Sequence, residues 1–174
     1  MGLLSIVKQW YRARKSKPYI DKLSKATAPI IGTLSYSAVP IVLEKTQSWN
    51  LENQTLLTYL GYVAGILAHG EKTFVAPSNC PISPQEFGFT NVISNFLNKL
   101  PESSEWLDHL EKKMEQEDFR LNNIADLCNS KPAFNFAFQW GQADFAEFLE
   151  AIREGDRTRA AVVLTKLDKL LSSD

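Results

Sequence analysis

Two cysteines, two histidines and two methionines are all that the 174-residue chain holds of those side chains. Cys80 and Cys128 stand far apart in no CxxC pattern. That excludes a disulfide-dense secreted scaffold and a zinc ribbon, and it makes a reducing, cytoplasmic setting the expectation. No glycine-rich phosphate loop is present, because Gly61, Gly65 and Gly70 fall within or at the end of an apolar run. Long hydrophobic stretches are lacking too. A membrane span takes about 20 mostly apolar residues, whereas the uncharged run from Ala26 to Leu43 is broken by Pro29 and Pro40 and the run ending at Gly70 manages only about 14. Both are expected to be buried core helices, with Gly61 and Gly65 in GxxxG spacing letting another helix backbone come close.

Charge is present but unevenly spread. Residues 1–25 carry seven bases against the single acid Asp21, and residues 26–101 carry only seven charges altogether. From Glu102 onward fifteen acids face nine bases, so a net charge of −1 hides a basic head, a charge-poor middle and an acidic tail. With 44% hydrophobic and 11% aromatic residues, the chain has the composition of a folded globular protein of one domain.

The basic head reads as an amphipathic helix over residues 3–16. At 100° per residue, Leu3, Leu4, Ile6, Val7, Trp10, Tyr11 and Ala13 share about half the circumference, while Ser5, Lys8, Gln9, Arg12 and Lys15 face away. Pro18 is expected to close this helix, since the residue before a proline is driven from helical conformation. The bases follow and interleave with the apolar residues, which is the reverse of an export signal, and Ile6 stands where a myristoylation pattern needs a hydroxyl. The domain reading is therefore a basic amphipathic helix, 1–17, followed by one helical domain, 18–174. Three roles suit the helix: packing on the domain, contact with an anionic membrane surface, or contact with nucleic acid. The last is disfavoured because the rest of the chain adds no basic groove.

The segment HGEKTFVAPSNCPIS is expected to form an exposed loop over about 70–83, with Gly70 ending one helix. The motif SPQE then opens another, with Ser83 as cap, Pro84 in the first turn and Glu86 reaching back. Beyond it the pattern is helical. One stripe runs from Phe89 to Leu100, a second joins Trp106, Leu107, Leu110 and Met114, and a third joins Leu121, Ile124, Ala125 and Cys128. In AFNFAFQW the aromatics alternate as in a strand, but a lone strand has no partner. The run is taken as a fully buried helix, kinked at Gly141 and continuing to Ile152. Gly155 ends it, Asp156 caps the next, and Ala160, Leu164, Leu167 and Leu171 seat a C-terminal helix hairpin. The expected fold is an all-α, single-domain bundle of six to eight helices.

Candidate chemistry is sparse. His69 and Cys80 flank one loop and could form a base–thiolate pair, but no nucleophile motif surrounds Cys80. His69, Glu71 and Cys80 lack metal-site spacing, and Glu105 and Asp108 place His109 on a solvated helix face. The segment AHGE, with ISPQEF following after an insertion, resembles the helix, acidic turn and capped helix of the TerB-like tellurite-resistance family. The resemblance covers about thirty residues and implies an all-helical fold. That family's pattern has an aspartate where His69 stands, so no metal role is carried over and no cofactor or catalytic residue is expected.

The functional expectation is a non-enzymatic interaction or regulatory module that binds a protein partner, at the inner face of an anionic membrane where its first helix permits. The contact residues are Leu3, Leu4, Lys8, Trp10, Tyr11, Arg12, Arg14, Lys15 and Lys17 in the head, and His69, Glu71, Lys72, Phe74 and Cys80 in the loop. The alternative is a helical pocket protein or enzyme enclosing an apolar small molecule among Tyr36, Tyr59, Tyr62, Phe134, Phe138 and Trp140.

Overall fold

A computed structural model describes residues 3–46, 52–74 and 124–172, with side chains from residue 14 onward. The capping box at 83–86, the stripes between residues 89 and 121, and Cys80 lie outside the described residues. Within them every regular element is helical: α1 (Leu3–Lys45), α2 (Gln54–Phe74), α3 (Ile124–Ser130), α4 (Pro132–Glu154), α5 (Arg157–Leu164) and α6 (Lys166–Ser172). The AFNFAFQW run is helix, as expected.

α1 overturns the expectation that Pro18 ends the first helix. It runs on for 43 residues, about 65 Å at 1.5 Å per residue, with Pro18, Pro29 and Pro40 inside it. The boundary drawn at residue 17 thus falls within α1. The prolines are eleven residues apart, three helical turns, so they share one face, and all three are exposed. A proline removes the hydrogen bond to the carbonyl four residues back, here those of Arg14, Lys25 and Tyr36. The opposite face holds the helix in place: Leu23, Thr27, Ile30, Leu34, Ala38 and Val42 are buried at spacings of three and four. Hydroxyls on α1 bond back to its own carbonyls, Thr27 to Leu23 at 3.0 Å and Ser35 to Ile31 at 2.8 Å.

α2 is the central helix, buried nearly all round from Leu56 to Leu67, as its charge-poor sequence requires. α4 runs beside it in the same direction. A methyl built on Gly61 would lie 3.0 Å from the Phe134 Cα, one on Gly65 2.9 Å from the Phe138 carbonyl carbon, and one on Gly141 2.9 Å from that of Tyr62. In each case the carbonyl oxygen is nearer still, so backbone touches backbone along this seam and only glycine fits. Gly141 serves this packing. Across α1, which runs the other way, Leu23 and Thr27 meet α2 at Gly70.

The C-terminal hairpin turns where expected. Gly155 adopts φ 75° and its N–H reaches the carbonyls of Ala151 and Ile152, and the Asp156 side chain accepts from the Arg159 N–H at the start of α5. α5 and α6 return antiparallel to α4 and seat Ala160, Val163, Leu167 and Leu171 in the core.

Candidate functional site

α4 presents two faces. Phe134, Ala137, Gly141, Phe145, Phe148 and Ala151 point into the core. On the other side Phe136, Trp140, Ala143 and Glu147 follow one another at spacings of four, three and four. Phe136 is 62% and Trp140 36% exposed, and their rings pair at 5.4 Å with a 47° tilt. The expectation of a fully buried helix is corrected here: one stripe of the 3.6-residue period fills the core, and the next faces water. Toward its C-terminal end this outer face turns acidic with Glu147, Glu150 and Glu154.

Beside it lies an open groove of about 790 Å³ between α4 and the end of α2. Ala143, Ala146, Leu149, Ile152 and Phe74 give it apolar walls, and His69, Glu147, Glu150, Arg153 and Arg159 stand around them. Ile152 is 55% exposed. His69 sits edge-on to Phe145 at 5.9 Å, and burial, aided by the Lys72 ammonium, lowers its pKa, so it is neutral at physiological pH.

A polar network supports this wall from behind. Asp144, almost wholly buried, accepts from the Tyr62 hydroxyl at 2.9 Å and from the Lys166 ammonium at 2.7 Å, and Lys166 also donates to Glu147 at 2.7 Å. Arg159 spreads over three carboxylates of α4, Glu150 at 2.7 Å, Glu154 at 3.2 Å and Glu147 at 3.4 Å. Burial and the neighbouring Asp144 carboxylate push the Tyr62 phenol well above its ordinary pKa. Burial does the same to Tyr59, whose hydrogen bond to Ser35 pulls the other way. At Lys166, burial opposes the charge, but the bonds to Asp144 and Glu147 outweigh it and raise the pKa. The bond from Lys166 leads in lowering that of Glu147. These contacts tie α5 and α6 to α4.

The predicted loop residues are placed differently from the expectation. His69, Glu71, Lys72 and Phe74 belong to α2, which continues through Gly70 to Phe74, so the loop does not begin at residue 70. Gly70 is there for space: a methyl on it would lie 2.9 Å from Leu23 and 3.0 Å from Thr27. His69 and Phe74 line the groove, and Lys72 is exposed. In the head, Leu3, Leu4, Lys8, Trp10, Tyr11 and Arg12 lie on α1 ahead of the described side chains, whereas Arg14, Lys15 and Lys17 are exposed, and Lys17 pairs with Asp21 at 2.8 Å. The six aromatics of the alternative reading do not converge on one cavity. Tyr59, Tyr62 and Phe134 are packed in the core, Tyr36 stands 82% exposed on α1, and Trp140 lies on the outer face of α4. Cys128 is a half-buried free thiol whose pKa burial raises. Among the described residues no group of His, Cys, Asp and Glu is arranged to hold a metal ion.

Phe136, the groove and Asp144 had escaped the sequence reading. A wheel drawn over 132–154 separates the two faces of α4 and places Phe136 on the outer one, whereas the groove needs the end of α2 beside it. Asp144 has no local signal, because its partner Tyr62 is 82 residues away. Comparison with family models, curated proteins and solved structures finds no match to this chain.

Proposed function

We propose that this chain, as a single-domain bundle of six to eight helices, is a non-enzymatic interaction module that docks an amphipathic helix of a protein partner along the outer face of α4. The observation that carries the reading is the exposed Phe136–Trp140 pair, in line with the apolar groove that begins at Ala143. Aromatic side chains supply large contact area at small entropic loss and are favoured anchors at interfaces. The spacing of four, three and four is what one helix offers another, with side chains of the partner entering between Phe136, Trp140 and Ala143. The two thiols suit a reducing compartment.

The test places a photo-crosslinking residue at Gln139, beside the pair, in the native cell. A discrete partner should be captured. It should be lost when Phe136 and Trp140 are both changed to alanine, with unchanged melting temperature, and retained by Tyr36→Ala on the far side. Capture undiminished by the double substitution would sink the proposal.

A further inference from the structure

The outer face of α1 is a second exposed surface, chemically unlike that of α4. Lys22, Lys25, Pro29, Gly32, Tyr36 and Pro40 lie along it and all are exposed. The line is basic at one end and uncharged from Ala26 to Leu43 at the other. We propose that this face rests on an anionic membrane surface, with the lysines at head-group phosphates and the Pro29–Tyr36–Pro40 segment at the boundary with the acyl chains.

Charge complementarity chooses the occupant. From Arg14 to Lys25 five bases meet one acid, and that acid, Asp21, is held by Lys17. The acids of α4 lie on a different helix, which packs chiefly against α2 and α5, so they do not oppose the basic face. Each base near an anionic leaflet adds to binding, and a tyrosine suits the interface by its apolar ring and polar tip. Counted back along the sequence, the same helical period falls on Tyr11, Val7 and Leu4.

The pose is parallel to the surface, not a crossing. α1 contains a window of mean hydropathy 1.5, long and apolar enough to span. Yet its inner face belongs to the core with Leu23, Ile30, Leu34 and Val42, and leaving would strip them from α2 and α6.

The test sediments the full chain with vesicles of phosphatidylcholine, with and without phosphatidylglycerol, and measures binding to duplex DNA in parallel. Association with the anionic vesicles alone is expected, weakening steeply with salt. Replacing Lys22 and Lys25 together by glutamate should lower it on the order of tenfold or more, and Tyr36→Ala several-fold. Phe136→Ala with Trp140→Ala, on the other face, should leave it unchanged. All variants alter exposed residues and should melt with the parent. No binding to anionic vesicles, equal binding to neutral ones, tighter binding to DNA, or indifference to the α1 substitutions would each overturn the proposal.

Discussion

Two regions of this protein place poor helix formers inside long helices, and for opposite reasons. On α1 the prolines stand three turns apart on the outside, where their rings are exposed, while the inner stripe holds the helix to the core. Between α2 and α4 the glycines stand on the inside, where any side chain would collide with a carbonyl of the facing helix. The proline face should tolerate change because its residues are exposed. The glycine seam does not, because backbone cannot yield as a side chain does. Sequence statistics treat both residues as helix breakers, whereas position on the helix decides what each does.

The largest effect should come from filling the seam. Changing Gly61 and Gly65 together to alanine should destabilise by more than about 3 kcal/mol in urea unfolding, the upper end of overpacking effects, because α2 and α4 must separate along their length. The two sites share one partner helix, so their effects should not add. Asp144→Ala is expected next, at about 2–3 kcal/mol, since it strands the buried Tyr62 hydroxyl and removes one partner of Lys166. Asp144→Asn, which keeps an acceptor for Tyr62, should lose less. Gly70→Ala should fall lower still, because its neighbours are side-chain atoms of Leu23, Thr27 and Phe145 that can move. Pro29→Ala should be neutral or stabilising by up to about 3 kcal/mol, since it restores a backbone bond at an exposed position. If Pro29→Ala destabilises as the glycine changes do, the contrast between the regions fails.

The polar network behind the seam gives the stability curve two edges. Tyr59, Tyr62 and Lys166 have raised pKa values in the folded protein, so their contribution is complete below the ordinary values and is lost as pH climbs through the folded ones. Unfolding should therefore become easier from about pH 10 upward. Tyr62→Phe should make that alkaline loss shallower. Glu147 is lowered, so its contribution is present above the ordinary glutamate value and fades as pH falls through the folded one. Urea midpoints across pH check both edges.

Helical class, the burial of α2 and the turn at Gly155 were legible because each rests on local chemistry: an apolar run, a capping aspartate, a glycine in the left-handed region. The GxxxG spacing likewise announced a close helix approach, though not that α4 would supply it. The length of α1 is not legible from Pro18 alone, because it is the common face shared with Pro29 and Pro40 that lets the helix continue. Gly70 misled for a related reason: glycine ends helices often, but here it makes room for Leu23 and Thr27. At the candidate site, the alternation of Phe134, Phe136 and Phe138 drew attention from the helical wheel that separates Phe136 and Trp140 from the core. Asp144 and the groove depend on contacts between distant helices, which a linear pattern does not carry.

The central claim is that position, not residue type, sets the role of these glycines, and two alanine substitutions measured by equilibrium urea unfolding at neutral pH test it most directly. A methyl on Gly32, on the outer face of α1, meets nothing within 4 Å, whereas one on Gly65 meets the Phe138 carbonyl. Gly32→Ala should stabilise by up to about 1 kcal/mol, as the higher helix propensity of alanine dictates. Gly65→Ala should destabilise despite the same propensity gain. If both shift stability in the same direction, α2 and α4 are not joined backbone to backbone, and the account is wrong.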